Sequence, residues 1–266
     1  KYMFEGTLKK MLTETSSPIN YFLDMKRGFV NLNQCINRKL SVTHIGSQCL
    51  NCLREYPIFR YGFCKSCFFE SPAMGDWIIR PELSKAHLEK TDRDLEYEKK
   101  IQLQPHVIYL ALSSHIKVGV TRKSQLPTRW IDQGAHQAIE ILNVPNRYLA
   151  GIGEVTLKKI FSDKTNWRKM VQNEFKPVEW DAAIQKALDY LPNDLKQYIE
   201  RNQKKVQNFE FPVMSYPEKA KSLNLSKNPF YEGKLIGVKA QYLLFEDQTV
   251  FNIRSNEGQK VRLRFF

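Results

Sequence analysis

Four of the five cysteines fall in two close pairs, Cys49-Leu50-Asn51-Cys52 and Cys64-Lys65-Ser66-Cys67, with eleven residues between them. Each C-x2-C pair can wrap a tight turn so that both sulfurs face one ion, and four thiolates satisfy tetrahedral Zn²⁺. Four cysteines leave no open coordination position, so the expected zinc is structural. A redox C-x-x-C would not account for two pairs, and the close spacing suits a metal site better than a secreted disulfide framework. Cys35 reads as a buried thiol, and His44 as the reserve ligand. The spacer Leu53 to Phe63, with Tyr56-Pro57-Ile58-Phe59-Arg60-Tyr61-Gly62, suits the hairpin of a zinc ribbon or a compact knuckle. Arg54, Arg60 and Lys65 interleave with Tyr56, Phe59, Tyr61, Phe63, Phe68 and Phe69, a mixture fitted to base stacking and phosphate contact. Phe63, Phe68 and Phe69 are expected in the small core of the module, which leaves Arg60 and Tyr61 as its nucleic-acid candidates.

The other chemistry-bearing residues need a scaffold. His106 to Arg122 reads as a β-hairpin with a turn at Ser113-Ser114-His115. A three-residue turn sets Leu112 opposite Ile116 and Tyr109 opposite Gly119. Ile108, Leu110, Leu112, Ile116, Val118 and Val120 then share the core face, and Tyr109, Lys117, Gly119 and Thr121 the other. Tyrosine, lysine and glycine together, followed by Arg122 and Lys123, suit a phosphate-facing surface. A short helix with Thr128-Arg129-Trp130 ends at Gly134, and a longer one runs from about Leu149 to Phe161 with Glu154 on it. Asp163-Lys164-Thr165-Asn166-Trp167 closes the segment, with Arg168 next. Glu154 also stands one helical turn from Lys158, the spacing of an ordinary surface pair.

This order of parts resembles the GIY-YIG nuclease fold. In that family a tyrosine ends the first strand, and a Tyr-Ile-Gly or Lys-Ile-Gly element lies on the second. Val107-Ile108-Tyr109 and Lys117-Val118-Gly119 stand in those places here, and Arg129, Glu154 and Asn166 follow in order. The chain as a whole looks like an uncharacterised bacterial family of unknown function, number 2797, which joins a zinc ribbon to this segment. The likeness is most specific over Lys117 to Arg122, Pro127 to Ala135 and Asp163 to Arg168. The resemblance implies Tyr109 as general base or its relay, Glu154 as ligand of Mg²⁺ or Mn²⁺, and Arg129 as phosphate clamp. Lys117 would lower the tyrosine's pKa or touch phosphate, and Asn166 completes the set. Val107 replaces the first glycine of the pattern and Lys117 its second tyrosine. Ser71, Ile78 and Ser84 stand where relatives carry further cysteines.

Length and charge set the frame. At 266 residues, with 42% hydrophobic and 26% charged side chains, the chain has ordinary globular composition. It carries 41 Lys and Arg against 28 Asp and Glu, a net +13, which favours a polyanionic partner. Residues 106–178 hold 11 basic and 5 acidic groups, whereas 48–105 hold 9 of each. No run approaches the ~20 apolar residues of a spanning helix, and Lys1 to Lys10 lacks the apolar core of a signal peptide. A cytoplasmic protein with no membrane partner is expected.

The two ends resemble each other. Phe4-Glu5-Gly6-Thr7-Leu8 matches Tyr231-Glu232-Gly233-Lys234-Leu235. Val30-Asn31-Leu32 with Lys39-Leu40-Ser41-Val42 matches Phe251-Asn252-Ile253 with Lys260-Val261-Arg262-Leu263 at the same spacing. The expected fold is α+β: a zinc ribbon and a GIY-YIG-like small α/β domain, with a β-domain shared by both chain ends. The divisions are 1–47 (first part of the β-domain), 48–70 (ribbon), 71–105 (connection, with a solvated helix near 92–100), 106–178 (GIY-YIG-like), 179–230 (helices and an extended return) and 231–266 (second part of the β-domain). Two functional readings follow. One is a divalent-metal-dependent endonuclease acting on DNA or RNA; the other is a non-catalytic module on structured RNA or a ribonucleoprotein, favoured by Lys117.

Overall fold

A computed structural model describes residues 2–199 and 205–266. In chain order the first elements are β1 (Tyr2–Thr7), β2 (Leu12–Glu14), β3 (Asn20–Met25), β4 (Gly28–Asn31), β5 (Lys39–Ser47) and α1 (Lys65–Glu70). Then come α2 (Leu95–Gln102), β6 (His106–Leu112), β7 (Ile116–Arg122), α3 (Thr128–Asp132), β8 (Gln137–Val144), α4 (Arg147–Leu157) and α5 (Trp167–Val171). The chain continues through α6 (Trp180–Tyr190), α7 (Asn193–Lys196), β9 (Gln207–Asn208) and β10 (Lys221–Ser222). It ends in β11 (Phe230–Lys239), β12 (Tyr242–Phe245), β13 (Thr249–Asn252) and β14 (Gln259–Phe265). The helical reading over 179–206 extends into 200–204, outside the described residues.

Two compact units result. The first takes 1–69, 171–173 and 209–266, and the second takes 70–170 and 174–208. In the first unit, described strands from both chain ends form one sheet ordered β1-β14-β5-β11-β12-β13-β10. Its pairing has a pseudo-twofold. Phe4 lies opposite Leu263 and Gly6 opposite Val261, while Tyr231 lies opposite Val42 and Gly233 opposite Leu40. Val42 and Leu263 face each other across the β5–β14 pair. The loop contacts repeat as well. Leu8 N–H donates to the Gln259 carbonyl at 2.8 Å and Leu235 N–H to the Arg38 carbonyl at 2.9 Å; Gly258 and Asn37 return donations to Leu8 and Leu235 at 2.9 and 2.7 Å. Asn37 and Gly258 carry φ of 70° and 85°, a region open to Asn and Gly. Alternating apolar residues build this core, with Leu8, Leu40, Val42, Leu235, Val261 and Leu263 all buried.

In the second unit the sheet runs β7-β6-β8-β9. The three-residue turn sets the expected register, with Leu112 opposite Ile116 and Tyr109 opposite Gly119. One face, through Ile108, Leu110, Val118 and Ile139, packs with Ala150 and Leu157 of α4 and Ile184 of α6. The other face is not the open surface that alternation suggests, because every residue of β6 is buried. Trp130 of α3 meets the Tyr109 ring edge to face at 5.9 Å. Tyr109 also lies flat over Gly119, where a Cβ would stand 2.5 Å from its hydroxyl oxygen.

The stretch 71–105 is more than a connection. Short 3-10 turns at Pro72–Met74, Asp76–Ile78, Pro81–Leu83 and Ala86–Leu88 precede α2. The charge-dense helix is also not simply solvated. Glu98 is 1% exposed, and its carboxylate accepts N–H bonds from Asp92, Arg93 and Asp94 at 2.7–3.1 Å. Buried carboxylates survive when backbone donors replace water in this way.

Candidate metal centre and basic cluster

The four sulfurs of Cys49, Cys52, Cys64 and Cys67 all lie within 4.8 Å of one another. A tetrahedron with Zn–S near 2.3 Å puts its sulfurs about 3.8 Å apart, and the Cys52–Cys64 separation is 4.0 Å. Local structure does the gathering. Cys49 follows β5, while Cys64 directly precedes α1 and Cys67 lies in it. Within the spacer Arg60 and Phe63 form one β-bridge, and α1 follows directly after Cys64. Cys64 N–H donates to Cys49 Sγ and the Asn51 amide to Cys67 Sγ, both at 3.3 Å. Burial would raise the Cys49 thiol, but N–H donation from Cys52, Cys64 and Asn51 outweighs it and brings it down to about 6. Asn51 favours the Cys67 thiolate, yet burial and its three sulfur neighbours push it up to about 12. Four sulfurs this close cannot all ionise without a cation among them, so the donor set fits a zinc ion.

The reserve ligand is occupied elsewhere, and Cys35 is half-buried rather than buried. His44 Nε2 meets Gln259 Oε1 at 2.9 Å, and the Cys35 thiol donates to the Asn31 carbonyl at 3.3 Å. On the module surface the Arg60 guanidinium lies 5.4 Å from the Phe59 ring centre. Tyr61, at φ 51°, stacks with Phe68 at 6.2 Å. Phe69 is exposed rather than part of the module core.

In the second unit Tyr109, Lys117, Arg129 and Glu154 come within electrostatic reach of one another. Tyr109 is 1% exposed, and its hydroxyl donates to Gln133 Oε1 at 3.0 Å. Burial pushes its pKa up, against the pull of Arg129 and Gln133. Lys117 is 5% exposed. Burial and then Arg129 push its ammonium down to about 8, while Glu154 and Asp163 resist. Glu154 is 8% exposed, its carboxyl raised by burial although Lys158 and Arg147 pull it down.

The sequence did not single out Arg147. Its Nε donates to the Trp77 carbonyl at 3.0 Å and an Nη to the Ile78 carbonyl at 2.7 Å, so a turn from 71–105 holds it, within electrostatic reach of Glu154. Burial brings it down to about 10. The close approach of that segment is possible because α4 has Gly151, where a Cβ would stand 2.3 Å from Glu82 N.

Asn166 serves the backbone instead. Its Oδ1 accepts from Lys169 N–H at 3.2 Å and caps α5. Its own N–H meets Ser114 Oγ at the hairpin turn, 3.1 Å away. Arg122 ends β7 and acts electrostatically on Arg147. Lys123 is exposed in the next turn, and Arg168 lies 4.4 Å over the Trp167 ring. Tyr109 and Lys117 project from the face opposite the one α4 covers, so Glu154 and the tyrosine approach the sheet from different faces. Glu154 has Lys158 Nζ at 3.5 Å, with Lys117 and Arg147 as further cations. With cations already gathered on its carboxylate, this arrangement does not fit Mg²⁺ or Mn²⁺.

Among the described residues no helix is long and apolar enough to cross a membrane. A family profile described as a protein of unknown function, DUF2797, matches residues 37–261. No curated protein matches the chain, and no solved structure does.

Proposed function

The chain belongs to the DUF2797 family, and from that premise we propose that it is a cytoplasmic nucleic-acid-binding protein that grips the phosphodiester backbone at the Lys117–Arg129–Arg147 cluster. A structural zinc in the four-cysteine module completes it. The observation that carries this reading is the cost of the cluster. Lys117 is held almost out of water beside Arg129, and its ammonium is weakened for both reasons. An anion placed among these groups would relieve that penalty, because it returns the counter-charge that burial removes. The net +13 of the chain supplies the long-range attraction.

The test is fluorescence anisotropy with labelled DNA and RNA oligonucleotides over a salt series. Lys117→Ala and Arg129→Ala should each reduce the salt slope by roughly one unit. Affinity that ignores salt, or is untouched by both substitutions, refutes the site.

A second reading, phosphodiester hydrolysis, is favoured by one observation: Arg129 of α3 and Glu154 of α4 both act electrostatically on Tyr109 of β6, in the chain order the GIY-YIG resemblance implies. Its test is cleavage of structured DNA and RNA with Mg²⁺ or Mn²⁺, where turnover abolished by Glu154→Gln would establish an enzyme.

A further inference from the structure

We propose that the Lys158 ammonium, held between Glu154 and Asp163, is the resident cation of this cluster and occupies the place a divalent ion would need. The inference deepens the anion-binding reading above, but it concerns the acidic side of the cluster and is read out without nucleic acid. Lys158 Nζ lies 3.5 Å from Glu154 Oε2 and 3.3 Å from Asp163 Oδ2.

The two carboxylates are brought together by independent elements. Glu154 stands one turn before Lys158 at the end of α4. Asp163 is placed by the edge of β7, where Ser162 bridges to Lys117 and its carbonyl accepts Val118 N–H at 2.8 Å. Between the two carboxylates lies one positive charge, within salt-bridge distance of both.

The lysine supplies that charge from within the chain. It leaves one net negative charge on the acidic side, against the cations of Lys117, Arg129 and Arg147 on the other. A divalent ion would have to displace the ammonium and then sit near those same cations. With the ammonium removed, however, two carboxylates from fixed elements would face a common point, the oxygen donor chemistry that Mg²⁺ and Mn²⁺ accept. The lysine is therefore what decides between a metal site and a metal-free anion site.

The experiment titrates Mn²⁺ into the full zinc-loaded chain and follows the loss of free Mn²⁺ signal by electron paramagnetic resonance. Wild type should match Glu154→Gln, with no Glu154-dependent Mn²⁺ bound. Lys158→Met should gain one Mn²⁺ site that wild type lacks, and Lys158→Met with Glu154→Gln should lose it. Lys158→Gln serves as second variant if the methionine one fails to fold. Glu154-dependent Mn²⁺ binding by wild type would overturn the proposal, and so would a folded Lys158→Met or Lys158→Gln chain that gains no site. Oligonucleotide binding measured alongside without divalent ions separates the two claims: its absence would refute the nucleic-acid reading and leave the resident cation standing.

Discussion

Replacing Lys117 by methionine should make the protein more stable while weakening its hold on nucleic acid. The lysine is 5% exposed, and its ammonium falls from 10.5 to about 8. At 1.36 kcal/mol per pH unit, this is a penalty of about 3 kcal/mol on the charged form. The sign follows from linkage. A lysine whose folded pKa lies below its unfolded value destabilises the fold fully below the folded pKa, and the penalty fades as pH rises through 8 towards 10.5. At pH 7 the full ~3 kcal/mol applies, and by pH 9.5 about 1.5 kcal/mol remains. Methionine keeps the unbranched shape and carries no charge, so Lys117→Met should gain about 3 kcal/mol at pH 7 and half of that at pH 9.5. The assay is urea unfolding followed by tryptophan fluorescence. All four tryptophans, Trp77, Trp130, Trp167 and Trp180, lie in the second unit, so the signal reports the unit that holds Lys117. A methionine variant less stable than wild type at pH 7, or a difference that does not change with pH, would refute the argument that this lysine is held at a cost.

Elemental analysis should find about one zinc per chain, and Cys52→Ser should lose it and unfold its module, since structural zinc contributes folding energy outright; zinc retained undiminished would dismiss the site. Gly119→Ala should destabilise the second unit by about 1–3 kcal/mol, because the new methyl meets the Tyr109 ring with Trp130 behind it; an unchanged urea midpoint would show the ring can move aside. Glu98→Ala should cost about 3 kcal/mol in the same assay by leaving buried N–H groups unpaired, and a loss under 1 kcal/mol would contradict the contacts drawn for it. Ending the chain after Pro229 removes β11 and β14, both strand partners of β5; hydrogen exchange should then find the amides of Leu40 and Val42 unprotected, and full protection would refute the pairing.

Local rules made part of this legible. The hairpin register followed from a three-residue turn and strict alternation, and the four-sulfur cluster followed from two C-x2-C pairs. The kinship of the ends showed in Phe4-Glu5-Gly6 and Tyr231-Glu232-Gly233, whose partners Leu263 and Val42 occupy corresponding places. What escaped the sequence depends on distant neighbours. Arg147 carried no signal in the sequence, because the Trp77 and Ile78 carbonyls that hold it lie some 70 residues away. Glu98 reads as one acid in a solvated run until the loop before α2 closes over it. Lys158 and Glu154 at one-turn spacing look like an ordinary exposed pair, and Asp163 changes that only because Ser162 docks on the edge of β7. Tyr109 shows the opposite effect. Its position in the hairpin was readable, but its burial comes from Trp130 and from the space left by Gly119.

Burying a cation beside other cations is a poor way to stabilise a fold. A methionine or leucine at position 117 would fill the same volume without the desolvation penalty, and a shorter residue at 129 would relieve the repulsion. Local energetics therefore argue against the arrangement, and departures of this kind concentrate where a ligand completes the site. A ligand completing the proposed site would have to be anionic, because Lys117, Arg129 and Arg147 outnumber the single carboxylate left after Lys158 has neutralised one of the two. It would also have to present its charge on a narrow group, since β6 is buried along its whole length and Lys117 on β7 is only 5% exposed. A phosphodiester meets both requirements, and its negative charge would raise Lys117 back towards its ordinary value. Affinity should accordingly fall as pH rises through 8, and Lys117→Arg, which stays charged throughout, should flatten that dependence. Equal pH profiles for wild type and Lys117→Arg in the anisotropy assay would place the bound phosphate elsewhere on the protein.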